Sequence, residues 1–310
     1  MNERKQTIHK ADIHAMCIAK DNRLVLGDDN GLITMVNLGD GKEDRIGSHH
    51  SGVYKVEMHD ESIVSSSSGG RIKFWKGVNA EYTDKLTLDH NRGPILDFTT
   101  VNNKIFTVSH KNSSICVFDA NNKSLLKESK QKFRHAKSLS VVSTPEGEMV
   151  YVGCSAGLFM LDAELEEVTN LTEDFKAKTI LFDGSSHLAV LGKSKKDKKW
   201  YLYEYSVDDN MLLSKRAIPT KFVKERKWGC FWGCLSVYQD YWVITMPIGL
   251  LIYQQGTGSQ PTMISIPQDQ KDATCSVIDK DVAYVACHDG SICTLHLGER
   301  IAPDSDIAYL

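Results

Sequence analysis

The chain has 310 residues, 41% of them hydrophobic and 25% charged, which is the balance of an ordinary globular protein with ample apolar material for a core. Its formal net charge of −3 excludes a global electrostatic pull toward nucleic acid or a membrane surface. The longest apolar runs are about six residues, where a bilayer-spanning helix needs roughly 20. Residues 1–10 are too polar for a secretory leader, so an intracellular setting, cytoplasmic or nuclear, is expected.

In chain order the sequence reads as one unit repeated. An apolar strand, a second strand, a tight turn and a third strand recur from residue 14 onward. The first unit is 14–19, 23–27, a turn at Asp29-Asn30-Gly31 and 32–38; Asn-Gly favours a hairpin because both turn positions need positive φ. The second is 53–58, 62–67, Gly69-Gly70 and 71–75; the third is 95–99, 104–109, a turn near Asn112-Ser113 and 115–119. The fourth is 139–143, 149–154, Ala156-Gly157 and 158–162; the fifth is 179–182, 187–192, a long polar turn and 200–206. The sixth is 231–237, 241–246, Ile248-Gly249 and 250–254; the seventh is 274–278, 282–287, Asp289-Gly290 and 291–297.

Turns near residues 31, 70, 113, 157, 198, 249 and 290 are spaced 39 to 51 apart, close to the roughly 40–45 residues of a four-stranded propeller blade. Fourth strands are expected at 44–47, 85–88, 124–128, 211–218 and 263–266, and within 163–175. The seventh unit lacks one, whereas residues 6–10 (QTIHK) stand ahead of the first unit with no local partner. That strand is expected to complete the last blade and abolish the open edge. The prediction is an all-β, seven-bladed β-propeller in one domain. Its blades cover 11–50, 51–92, 93–135, 136–175, 176–227, 228–268 and 269–300 joined by 4–10, with a tail at 301–310.

Polar motifs recur in phase. His49 and His50, His90 and His135 precede the first strands of units two, three and four, and Trp75-Lys76, Phe118-Asp119 and Leu161-Asp162 close third strands. The pattern resembles the WD-repeat family, in a divergent form with degenerate repeats. The resemblance implies that a His, a second-strand Ser or Thr, the Trp and a turn Asp hydrogen-bond within a blade. In the second unit His49 or His50, Ser66 or Ser67 and Trp75 supply part of that set. The resemblance also implies a non-catalytic, protein-binding scaffold subunit of a multiprotein complex, docking peptides or subunits on its loop faces.

Chemistry has little purchase. The histidines at 49, 90 and 135 are 41 and 45 residues apart, so they fall on different blades and pin them rather than share a metal. Cys230 and Cys234 lack a second pair of ligands at zinc-site spacing. The eight cysteines mostly sit in apolar strand-like runs and are expected as reduced, buried hydrophobes. No metal, cofactor or obligate small molecule is expected. No nucleophile elbow or phosphate-binding glycine loop is present, and His14, Tyr54, Glu57 and Asp97 on first strands form no repeated acidic set for a channel-mouth enzyme, the least favoured alternative.

The remaining signal is basic. Residues 193–227 hold 11 Lys or Arg against 5 Asp or Glu, a net of +6 that leaves −9 for the rest. Lys193, Lys195, Lys196, Lys198 and Lys199 fill the long turn of unit five; Lys215, Arg216, Lys221, Lys224, Arg226 and Lys227 flank the crossing into unit six. A solvated loop would account for such a run, and so would a site for an acidic partner: an acidic peptide, a phosphorylated segment or, as an alternative function, RNA in a ribonucleoprotein, with Trp200, Tyr201 and Tyr203 as stacking surfaces.

Overall fold

A computed structural model describes residues 5–78, 81–88, 93–109, 113–145, 147–219, 233–267, 272–298 and 301, with backbone alone at 5–7, 77–78 and 81–88. Seven antiparallel four-stranded sheets follow one another along the chain. The first is built from β2 (Ile13–Ala19), β3 (Arg23–Asp28), β4 (Leu32–Asn37) and β5 (Glu43–Ser48), after a short β1 (Lys5–Thr7). The second is β6 (Val53–His59), β7 (Ser62–Ser67), β8 (Ile72–Val78) and β9 (Glu81–Leu88). The third is β10 (Ile95–Val101), β11 (Lys104–Ser109), β12 (Ile115–Asp119) and β13 (Leu125–Glu128). The fourth is β14 (Ser138–Thr144), β15 (Gly147–Gly153), β16 (Leu158–Leu161) and β17 (Val168–Thr172). The fifth is β18 (Phe175–Phe182), β19 (His187–Ser194), β20 (Trp200–Ser206) and β21 (Leu212–Ala217). The sixth is β22 (Leu235–Tyr238), β23 (Tyr241–Met246), β24 (Gly249–Gln254) and β25 (Thr262–Ser265). The seventh is β26 (Ala273–Asp279), β27 (Val282–Cys287), β28 (Ser291–His296) and, as its outer strand, β1, with Lys5 opposite Cys293 and Thr7 opposite Ser291.

The first strand of each sheet packs on the first strand of the next, and β26 returns to β2, so these strands form the inner wall of a closed ring. The middle strands, such as Arg23–Asp28 and Lys104–Ser109, are buried on both faces because each sheet lies between two others, and they read as near-continuous apolar runs. Outer strands such as Leu125–Glu128 and Val168–Thr172 face solvent and are polar or mixed. Gly31 has φ 86°, and a Cβ there would meet the His49 carbonyl oxygen at 2.6 Å, so the turn between β3 and β4 requires glycine.

Several expectations shift. The sixth unit's first strand is β22 at Leu235–Tyr238; of the expected 231–237, residues 231 and 232 lie outside the described residues. Its hairpin turn is Pro247-Ile248, and Gly249 already opens β24. The fifth unit's first strand begins at Phe175, four residues early, because a bulge between Ala177 and Thr179 breaks the alternation. The tail beyond 301 lies outside the described residues.

Polar side chains stitch the inner wall. Lys55 Nζ donates to Asp97 Oδ1 (2.8 Å) on the next blade, Ser138 Oγ donates to Asp97 Oδ2 (2.7 Å), and the Ile180 N–H donates to Ser138 Oγ (3.1 Å), a chain across four blades. Further round the ring, Thr245 Oγ1 on β23 donates to Ser276 Oγ (2.8 Å), and Thr274 Oγ1 donates to the Ile13 carbonyl across the seam (2.5 Å).

Candidate functional site: a cationic channel mouth

The blade motifs are divided among blades. In blade two His49 Nε2 lies 2.7 Å from Ser65 Oγ, Trp75 Nε1 donates to the same oxygen at 2.8 Å, and the His49 and Trp75 rings meet edge to face at 6.0 Å. The serine is Ser65, not Ser66 or Ser67. Ile63 is opposite Trp75 in the β7–β8 ladder, so Ser65, two residues on, shares the Trp75 face, while Ser66 points to the other face. His50 is exposed and takes no part. In blade one the buried pair is His9 and Asp28, Nδ1 to Oδ2 2.7 Å; the expected Asp29 is one residue too late.

In blade four the corresponding position is apolar. His9, His49 and Phe133 each donate a backbone N–H to a turn residue of positive φ: Gly290, Gly31 and Ser113. Phe133 is buried and packs edge to face on Phe159 at 5.6 Å, whereas the expected His135 is exposed. His90 lies outside the described residues. Phe118 is buried. Asp119 and Asp162 hold the following turns: Asp119 Oδ1 accepts the N–H groups of Asn121 and Asn122, and Asp162 Oδ1 those of Glu166 and Glu167. These backbone donors lower the Asp119 pKa.

On the inner wall, Lys55, Glu57 and Asp97 are engaged in structure. Burial disfavours the Lys55 charge, but Asp97 and Glu57 outweigh it and leave its pKa above the ordinary lysine value. Glu57 also accepts from the Thr100 N–H (3.0 Å) and Oγ1 (2.6 Å). Cys234 is buried with its thiol pushed up to about 12 by desolvation, 3.9 Å from Thr179 Oγ1; Cys230 lies outside the described residues.

The basic run separates into residues tied to a neighbouring blade and residues exposed on the surface. Arg216 is buried: Nη2 donates to Glu204 Oε2 at 3.1 Å, Nη1 to the Gln254 carbonyl at 2.5 Å, and the guanidinium lies over Tyr253. It belongs to the fold and is no docking residue. Lys195 Nζ donates to the Ala156 carbonyl of blade four at 2.7 Å, fixing the β19–β20 hairpin against its neighbour. Lys196, Lys198 and Lys199 are exposed on that hairpin. There the Asp197 carboxyl is held down at about 2 by the Tyr201 hydroxyl (2.6 Å) and the Lys199 N–H. Lys215 is exposed and lies 4.4 Å from the Tyr201 ring. Lys221, Lys224, Arg226 and Lys227 lie outside the described residues.

Three lysines outside the run join it. Lys193 sits directly opposite Lys176 in the β18–β19 ladder, an arrangement of like charges that weakens a sheet. Lys178 occupies the inner-strand bulge, where a side chain is re-aimed. Burial and the ammonium groups of Lys137, Lys176 and Lys193 push its pKa down to about 8. Lys137 immediately precedes the inner strand of blade four, and Lys176 is the second residue of that of blade five. The mouth of the channel on this face is therefore cationic across two blades, with the lysine hairpin beside it. Sequence reading missed Lys137, Lys176 and Lys178, because they are scattered through ordinary strand sequence and only the ring brings them to Lys193. Of the expected stacking rings, Tyr203 is buried and stacked on Phe175 at 3.9 Å, and Trp200 packs against the core of blades five and six.

No helix among the described residues is long and apolar enough to cross a membrane. The sequence matches no protein-family model and no curated protein. The structure is similar to the WD40 β-propeller domain of Doa1, with a TM-score of 0.74, 11% identity and 94% of each chain covered. It is also similar to the computationally designed Ika8 protein, with a TM-score of 0.63, 14% identity, and 93% of this chain and 97% of that one covered. In fold, the chain is a seven-bladed β-propeller.

Proposed function

We propose that this propeller is a non-catalytic docking subunit that receives an acidic segment of a partner protein at the cationic mouth of blades four and five. The observation that carries the reading is geometric: Lys176 stands directly opposite Lys193 in the β18–β19 ladder, Lys178 sits at the bulge beside them, and Lys137 immediately precedes the neighbouring inner strand; burial, then these ammonium groups, lower the Lys178 pKa. A rigid ring holds these like charges together at a cost to the fold, and a bound anion would relieve it. The WD40-type fold supports the scaffold role, since such propellers commonly bind proteins. Structural engagement of Lys55, Glu57 and Asp97 argues against assigning them to catalysis. Burial of Tyr203 favours a peptide over RNA, because base stacking needs an open ring face.

The test is fluorescence polarisation with a labelled Glu-rich dodecapeptide and a single-stranded RNA of matched charge. The Lys176→Gln/Lys178→Gln/Lys193→Gln variant is expected to bind the peptide at least tenfold more weakly, and unchanged binding would overturn the proposal. Tighter binding of RNA, with a salt slope near −0.7 per phosphate, would transfer the site to the nucleic-acid reading.

A further inference from the structure

A second cluster occupies the same face, across the seam where the ring closes. Asp12 follows the closing strand, His14 is the second residue of β2, and Asp29 stands in the β3–β4 turn. One ligating atom of each lies within 4.8 Å of the others. The backbone builds the arrangement. The Asp29 N–H donates to the Asp12 carbonyl at 3.0 Å, which draws the connection and the turn together. A bulge between Ile13 and Ala15 re-aims the side chain between them, His14. His14 Nε2 lies 3.2 Å from Asp29 Oδ2. From blade seven, His288 Nδ1 lies 2.6 Å from Asp12 Oδ2, and its ring meets that of His14 edge to face at 5.9 Å.

We infer that Asp12, His14 and Asp29 form a binding site for a divalent transition metal of the zinc class, with His288 orienting Asp12. Each carboxylate has an imidazole beside it, and a divalent ion between them would neutralise the two carboxylates and take the His14 lone pair. Imidazole with carboxylate suits zinc; magnesium and calcium take oxygen-only sets. Tetrahedral zinc with bonds of about 2 Å needs its ligand atoms about 3.3 Å apart, near the spacing already held by His14 and Asp29. The Asp29 side chain is 53% exposed, which gives an ion a path of entry. A hydrogen bond from a neighbouring imidazole to a ligating carboxylate is the outer support that metal sites carry. Since His288 belongs to blade seven, the ion would also tie the last blade to the first.

The experiment is isothermal titration of EDTA-treated protein with ZnCl2, repeated with MgCl2, alongside the thermal midpoint with and without zinc. One zinc per chain is expected, with a higher midpoint and no saturable magnesium binding. Asp29→Asn, which preserves shape, is expected to weaken zinc at least tenfold, and His288→Ala about tenfold; circular dichroism checks that both remain folded. Cobalt(II) substitution separates this site from the cysteines: no thiolate charge-transfer band is expected. Absence of saturable zinc binding, an unchanged affinity in Asp29→Asn, or a thiolate band would each overturn the assignment. None of these outcomes bears on the lysine mouth, which belongs to other blades.

Discussion

Glu204 and Arg216 meet at 3.1 Å inside blade five, and through Glu204 blade five is fastened to blade six. The carboxylate, fully buried, also accepts from Ser214 Oγ, Trp242 Nε1 and the Gly256 N–H, the last two contributed by blade six. Replacing Glu204 with Ala leaves a buried guanidinium and an indole N–H without their acceptor. The expected cost is about 3–5 kcal/mol, because removing one partner strands the other charge. Glu204→Met combined with Arg216→Met removes both charges together and is expected to cost less than Glu204→Ala alone. Urea unfolding of the variants checks the order.

Two adjacent serines give opposite expectations. Ser65→Ala deprives the Trp75 indole and the His49 ring of their shared oxygen and is expected to cost about 1–3 kcal/mol. Ser66 Oγ is buried with no hydrogen-bond partner, so Ser66→Ala is expected to be neutral or slightly stabilising. Chemical denaturation of both proteins under one condition distinguishes them; equal losses would refute the face assignment.

Lys178 supplies a pH signature. Its folded pKa of about 8 lies below the ordinary 10.5, so the folded state sheds a proton that the unfolded chain still holds. Below about pH 8 the full penalty is present, and between about pH 8 and 10.5 stability rises as the unfolded state binds the extra proton. Lys178→Gln is expected to raise the thermal midpoint at pH 7 and to erase this contribution to the slope between pH 8 and 10.5. Thermal melts of the two proteins across that range measure the difference. An acidic peptide at the mouth is expected to move the Lys178 titration upward, as NMR of the side chain would report.

Closure of the ring can be tested through His9. Its ring and the Asp28 carboxylate are both buried, and Asp28 Oδ1 also accepts the Leu32 N–H. His9→Ala leaves one carboxylate oxygen buried without its partner, at an expected cost of about 1–3 kcal/mol. Hydrogen exchange is expected to speed up first in Ser291–His296, the strand that pairs with the closing segment.

Most of the architecture was legible because its signals are local and repeated. The middle strands Ser62–Ser67, Tyr241–Met246 and Val282–Cys287 fall where apolar runs and turn residues put them, and an unpaired strand ahead of the first unit pointed to closure. The polar details were less legible, since they turn on single positions. Ser65 and Ser66 differ only in the face they take. Arg216 and Lys215 are neighbours in one charge run, yet strand alternation buries the first and exposes the second. His135 stands two residues from the buried position, which Phe133 fills. Lys178 and the Asp12, His14 and Asp29 group escaped notice because the ring, not the chain, makes them neighbours.

The pairing of Thr7 with Ser291 has a bearing on how the molecule is made. The segment that completes the final sheet precedes the other six blades in the chain and must wait until β28, which follows them, exists. This is the least local contact in the ring and carries the largest loop-closure entropy. Until it forms, β28 is left as an open edge able to pair with another chain. The completing step is therefore expected to be slow, and extensions that crowd residues 5–7 are expected to favour exchange of this segment between neighbouring molecules over closure within one.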